Sequence, residues 1–205
     1  IRKGSGSAYY PVEMSDVIRY VIEHSGRYAI TGLPCFIKAI RLAQNKNAKL
    51  LNRITITIGL VCGQQKSSFF TDFAAVNAGV RGRITEVKYR NKSPKHPATN
   101  YYFSFRNEKD CMKEIYWKEG IGEAWINRWF TPNACNYCDD VFAECADVAC
   151  MDAWLPEYSE DWRGLNFILV RNPIYKELLN QNQNINCLEI SFYKIIQIQR
   201  NILLV

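Results

Sequence analysis

Histidine is scarce in this chain: His24 and His96 are the only two among 205 residues. Neither sits in a recognised motif, which excludes a zinc finger built on a histidine pair and leaves little for imidazole acid–base chemistry. His24, at the end of an expected helix, reads as a C-terminal capping partner. Long apolar runs are also missing. No stretch reaches the roughly 18–20 residues that span a bilayer, and the longest, Ile54 to Cys62, is rich in Thr and reads as a buried strand. The start, Ile1-Arg2-Lys3-Gly4-Ser5-Gly6-Ser7, has no apolar segment after its charges, so no secretory signal is expected. It also lacks an initiator Met, and the chain reads as a fragment of something longer. Internal repeats, low-complexity tracts and a clear linker are absent.

What remains is the composition of a globular protein, 48% apolar and 22% charged. The net charge of +6 is modest, and its basic residues are scattered. The densest group, Lys88, Arg90, Lys92 and Lys95, reads first as a solvated face; an anionic cofactor tail would suit it equally, and no nucleic-acid signature surrounds it. Eight cysteines stand out. The chain is large enough to build a core without disulfide staples and shows no export signal, so reduced thiols in the cytoplasm are expected, with metal or cluster ligation as the leading use.

Met14 to His24 has helical spacing, and Gly26 is placed to end it. Arg27 to Thr31 reads as a strand. Pro34 fits the first position of a second helix, with apolar cover from Phe36, Ile37, Ile40 and Leu42. The strand Ile54 to Cys62 and a helix over Ser67 to Asn77 complete a βαβ opening with a parallel strand pair. Ile84 to Arg90, Tyr101 to Arg106 and Lys113 to Trp117 read as antiparallel strands. An aromatic-rich segment, Glu123 to Phe130, leads into a cysteine-bearing loop. Val148 to Trp154 and Asn166 to Arg171 read as two more strands, and Ile174 to Leu179 as a short helix. The expectation is an α/β fold, a mixed β-sheet with flanking helices, with α+β as the alternative. Residues 1–182 form the functional domain, and 183–205 a C-terminal tail of unclear role.

The most specific local feature is Cys135-Asn136-Tyr137-Cys138, followed by Asp139 and Asp140. A Cys-x-x-Cys pair lets two thiolates meet one metal or two corners of a cluster, which is half a site. Cys35, at a turn before a helix start, sits where a thiolate is stabilised. Cys62 lies at the end of the next strand, and strand ends in a βαβ unit share one crevice. Cys35, Cys62, Cys135 and Cys138 would therefore make four thiolates, enough for a [4Fe–4S] cluster or a structural zinc. Buried cysteines beside an unpaired Cys-x-x-Cys are the bland alternative. Cys145 and Cys150 could also complete a purely local site, although Ala143 to Met151 alternates like a strand and would pack one of them. Cys111 and Cys187 read as structural.

The same segments carry a resemblance. Tyr28-Ala29-Ile30-Thr31-Gly32-Leu33-Pro34-Cys35, Ile58-Gly59-Leu60-Val61-Cys62-Gly63 with Lys66-Ser67, and Val87-Lys88-Tyr89-Arg90 with Ser93 to Tyr101 appear in order. They are followed by Ala134-Cys135-Asn136-Tyr137-Cys138-Asp139-Asp140, Ala146-Asp147-Val148, Asp152-Ala153-Trp154 and Gly164 to Arg171. Over roughly residues 4 to 180 this ordered set resembles the coenzyme F-420 hydrogenase/dehydrogenase beta-subunit family. The resemblance implies an iron–sulfur flavoprotein, an oxidoreductase passing electrons between a [4Fe–4S] cluster and FAD, with coenzyme F-420 or a similar acceptor as substrate. By position it implies Cys35, Cys62, Cys135 and Cys138 as cluster ligands. It also implies flavin contacts at Gly6, Ser7, Thr31, Gly32, Lys66 and Asp152, an exposed lysine being the simpler account of Lys66. Ala8 and Met151 depart from the family's usual Lys and Gly. A redox partner, whether ferredoxin, hydrogenase or dehydrogenase, is expected, with neither nucleic acid nor a membrane span. The competing reading is an interaction domain stabilised by zinc on the same four cysteines, without redox activity; a disulfide-bonded extracellular protein is the third.

Overall fold

The computed structural model describes residues 6–158, 160–191 and 193–195. The ends of the chain, including the expected signal-free start and the last part of the 183–205 tail, lie outside the described residues. The chain divides into two compact units. The first comprises residues up to Val12, Gln64–Tyr137 and Trp154–Leu165; the second comprises Glu13–Gly63, Cys138–Ala153 and Asn166 onward.

In the second unit α1 (Ser15–Glu23) leads to β1 (Tyr28–Gly32), then α2 (Pro34–Gln44), α3 (Ala48–Arg53) and β2 (Ile54–Leu60). Pro34 opens α2 after an extended Leu33, and the helix buries Pro34, Ile37, Ile40 and Gln44. Leu42, expected on the same face, points outward. The Asn47 side chain caps α3 by accepting from the N–H groups of Lys49 and Leu50. At the other end of α1, Arg53 Nη1 donates to the carbonyls of Val21, Ile22 and His24 at 2.8–2.9 Å, a cation on a helix C-terminus. β1 and β2 pair in parallel, as the βαβ reading requires. β6 (Val148–Asp152) adds in parallel to β2, and β7 (Asn166–Val170) closes the sheet antiparallel to β6, in the order β1-β2-β6-β7. α6 (Pro173–Gln181) follows, capped by Asn172.

The core here joins Val21, Ile30, Ile37, Ile40, Leu50 and Ile54 to three small residues, Ala143, Ala146 and Ala149. The alanines lie against Gly59: a Cβ there would sit 2.3 Å from that of Ala143 and 3.0 Å from that of Ala146. Residues 143–147 do not extend β6, contrary to the alternation read in the sequence. Ala143 has φ 52°, and the Ala146 N–H folds back to the Ala143 carbonyl. Asp147 pins the turn: its Oδ2 accepts from Thr57 N at 2.8 Å, Thr57 Oγ1 at 3.0 Å and Arg41 Nη2 at 3.0 Å.

In the first unit α4 (Ser68–Asn77) precedes an antiparallel meander of β3 (Ile84–Asn91), β4 (Tyr102–Asn107) and β5 (Met112–Tyr116). A short helix, α5 (Ile121–Ile126), follows. Phe103 and Phe105 project from β4 at the strand period of two, and both are fully buried against Phe70, Ala74 and Ala75 of α4. Tyr9 inserts its ring among Phe70, Tyr89, Phe103 and Trp125 at centroid distances of 5.1–6.3 Å. The mixture of parallel and antiparallel strands with flanking helices is an α/β architecture. Among the described residues, no helix is long and apolar enough to cross a membrane.

Candidate functional site

The parallel strands of the second unit set the position of two cysteines. Gly32 at the end of β1 is the register partner of Gly59 on β2. Cys35 and Cys62 each follow their glycine by three residues. Cys35 falls in the first turn of α2, where unsatisfied N–H groups and the helix dipole favour a thiolate. Gly32 eases the approach of that helix: a Cβ there would meet Phe36 Cβ at 3.3 Å and Ile37 Cδ1 at 3.4 Å, a tight fit. Beyond β2 two bonds hold the backbone, Val61 N donating to Cys150 O at 2.9 Å and Cys62 N to Val141 O at 3.0 Å.

The segment from Cys138 belongs to the same end of that sheet. Val141 meets the Cys62 backbone, and Asp139 pairs with Lys38, one helical turn past Cys35, at 3.7 Å. Asp140 is buried and accepts the N–H of Glu144. Three cysteine-bearing segments, those of Cys35, Cys62 and Cys138, thus converge. Among the described residues, no three His, Cys, Asp or Glu side chains are already gathered tightly enough to hold a metal ion. None of the eight cysteines is in a disulfide.

Cys135 belongs to the first unit, in a 3-10 turn spanning Asn133–Tyr137. Its sulfur accepts the Gln65 N–H at 3.4 Å, and Arg128 Nη2 donates to its carbonyl at the same distance. Just behind lies Lys66, 1% exposed and one of the most fully buried side chains of the chain. Its three N–H groups serve Trp129 O at 2.8 Å, Gln64 Oε1 at 2.9 Å and Thr131 Oγ1 at 3.1 Å, with Ala124 O a longer, shared contact at 3.4 Å. It also stands over the rings of Trp125 and Phe70. Burial, then the nearby Arg128 charge, lowers its pKa to about 8. Lys66 is therefore not the exposed lysine that the sequence suggests, and its donors are engaged within the protein.

The remaining sequence-derived flavin candidates are spread over both units. Gly6 and Ser7 lie in the first; a Cβ at Gly6 would meet nothing within 4 Å, and Ser7 bridges to Tyr89. Thr31 and Gly32 close β1, and Asp152 closes β6 opposite Asn166, so all three mark C-terminal ends of parallel strands of one sheet. Cys150 lies within β6, and burial raises its thiol pKa, which disfavours the ligating thiolate. Cys145 packs against the core of the second unit. Cys111 and Cys187 are exposed. The basic group around Arg90 is drawn into protein contacts: Lys88 pairs with Glu86, Arg90 lies over Tyr101 and Trp154, and Lys92 donates to Arg163 O. His24 places Nδ1 3.0 Å from Tyr20 O, the capping role read from its position.

Comparison with curated proteins finds no match. Among solved structures, a chain of the xenon-derivatised F-420-reducing [NiFe] hydrogenase complex from Methanosarcina barkeri superposes with a TM-score of 0.53 at 16% identity. The match covers 86% of this chain and 55% of that one, so this chain spans about half the length of its structural relative. At that identity the likeness establishes the fold. The sequence model for the C terminus of the coenzyme F-420 hydrogenase/dehydrogenase beta subunit matches residues 25–194, and the chain belongs to that family.

Proposed function

We propose that residues 1–182 form an iron–sulfur and flavin-binding oxidoreductase module in which Cys35, Cys62, Cys135 and Cys138 hold a [4Fe–4S] cluster. The observation that carries this reading is the convergence of three cysteine segments in one unit: Cys35 and Cys62 at equivalent positions past paired strands, with the Cys138 loop tied to both. Cys135 is three residues from Cys138 in the chain, and four thiols match the donor set of a cubane cluster. A bound cluster and FAD would supply one- and two-electron transfer, ending in hydride delivery to coenzyme F-420 or a similar acceptor.

The chain's own residues prepare such a site. The first turn of α2 offers N–H groups and a positive dipole end to the Cys35 sulfur. The Gln65 N–H donates to the Cys135 sulfur, the kind of contact that tunes cluster potentials. Thr31, Gly32 and Asp152, at strand ends where α/β sheets take ligands, together with Gly6 and Ser7, are the proposed flavin contacts. The ammonium of Lys66 is engaged inside the first unit, and on that ground this proposal leaves it out of the contact set. The proposed partners are redox proteins, a hydrogenase, a dehydrogenase or a ferredoxin, in the cytoplasm; the structural relative comes from a hydrogenase complex.

The test is anaerobic purification with iron, sulfide, zinc and flavin assayed beside a visible spectrum. About four irons per chain, lost in Cys62→Ser and Cys135→Ser but kept in Cys111→Ser, is expected. One zinc and no colour would replace the cluster by a structural zinc on the same four cysteines. Unchanged iron in both serine variants would overturn the ligand assignment.

A further inference from the structure

We infer that Lys66 is a positioning residue for Cys135: its buried ammonium ties down the turn that delivers this cysteine and is the fixed positive charge set behind it. The inference rests on the reading of Cys135 as a cluster ligand and assigns Lys66 a role away from the flavin.

The argument begins with cost. A buried cation is expensive unless paired, and proteins usually supply a carboxylate. Among the described residues none forms an ion pair with Lys66. Its acceptors are two carbonyls, an amide oxygen and a hydroxyl, and they share a location. Ala124 and Trp129 flank the end of α5, Thr131 begins the approach to Cys135, and Gln64 binds both Thr131 and the Trp125 carbonyl. The stretch they hold needs holding. Arg128 and Phe130 both adopt left-handed backbone, with φ of 58° and 60°, where side chains are disfavoured. Ser67 N, next to Lys66, donates to Phe130 O at 2.8 Å, and Gln65 N, on its other side, donates to the Cys135 sulfur. Residues 64–67 thus touch the turn at its beginning, its middle and its cysteine, with the ammonium at the centre. A cation that forms no ion pair among the described residues, next in the chain to the Gln65 amide that meets the Cys135 sulfur, fits an anionic thiolate set whose charge it offsets.

The experiment compares wild type with Lys66→Gln and Lys66→Arg. Backbone amide exchange followed by mass spectrometry should be about tenfold or more faster over residues 124–137 in Lys66→Gln, the scale of one charge-assisted hydrogen bond. Amides of β3, β4 and β5 should stay within about twofold of wild type. Unchanged exchange over 124–137, or equal acceleration across the whole sheet, would overturn the positioning role. If Lys66→Gln does not fold, Thr131→Val removes one acceptor and the link to Gln64. The same localised acceleration is expected there, and its absence overturns the role equally. On iron-loaded protein, the midpoint potential should fall in Lys66→Gln and return towards wild type in Lys66→Arg; an unmoved potential overturns the charge role. Wild type that takes up no iron would sink the cluster reading, while the exchange measurement still decides the role of Lys66.

Discussion

Replacing Gly59 by Ala tests how the Cys138 segment is seated on β2. The added methyl would stand 2.3 Å from Ala143 Cβ and 3.0 Å from Ala146 Cβ, where carbon atoms normally keep about 3.5–4.0 Å. Neither alanine has a rotamer to move, so the whole turn must shift. That turn is pinned from several directions. Arg41 Nε holds the Cys145 carbonyl at 3.0 Å, Asp147 holds Thr57, and Arg171 donates to the carbonyls of Phe142 and Ala146. Overpacking of this kind costs about 1–3 kcal/mol, and the upper end, about 3 kcal/mol, is expected here. Ala143→Gly removes the closer contact. It also places glycine at a φ of 52°, which offsets the lost methyl burial, so alone it should be within about 1 kcal/mol of wild type. The double variant should recover about 2 kcal/mol of the single-variant loss, a coupling measurable by anaerobic urea unfolding followed by far-UV circular dichroism. Additive effects, or a Gly59→Ala loss below about 0.5 kcal/mol, would refute the close approach. Iron content provides a second readout: Gly59→Ala should lower it, and the double variant should restore it.

Two further outcomes concern charge. Lys66 falls from 10.5 to about 8 on folding, so at neutral pH the unfolded chain holds its proton more readily. This costs stability below pH 8, and the cost is relieved as pH rises towards 10.5. Between pH 7 and 9.5, metal-free wild type should gain about 2 kcal/mol relative to Lys66→Met; a flat difference would contradict the burial of the ammonium. Asp147→Ala leaves the fully buried Thr57 N–H and the Arg41 guanidinium without their shared acceptor, and should cost about 3 kcal/mol in urea unfolding. Asp147→Asn, which keeps an acceptor oxygen, should cost about half as much.

The βαβ opening is legible because its punctuation is local: Pro34 at a helix start, Gly26 after another, and apolar residues at helical and strand spacing. The placement of Cys35 and Cys62 at the ends of neighbouring parallel strands follows from the same alternation. α3 and α5 escape such a reading because six residues are too few to show a helical period, and the aromatic run around Trp125 obscures the second. Asn47 is the available signal for α3. The turn over residues 143–147 reads as strand because apolar Ala143, Cys145 and Ala146 are interleaved with Glu144 and Asp147; a left-handed alanine leaves no mark in composition. Lys66 is the least legible of the candidates. Burial of a lysine depends on carbonyls some sixty residues away, Ala124 and Trp129, which no local pattern announces. The aromatic residues flanking it on both segments are the clue.

The equal spacing from Gly32 to Cys35 and from Gly59 to Cys62 has an evolutionary and engineering consequence. Because the two glycines are locked opposite one another by strand pairing, each three-residue step acts as a gauge. Adding a residue to one step alone would slide one sulfur along its path while the other stayed fixed. Length variation is tolerable in the crossover between α2 and α3, whose ends are reset by the Asn47 cap and by β2, but not in these short steps. Related chains that keep such a thiol pair should therefore vary in crossover length while preserving both gauges.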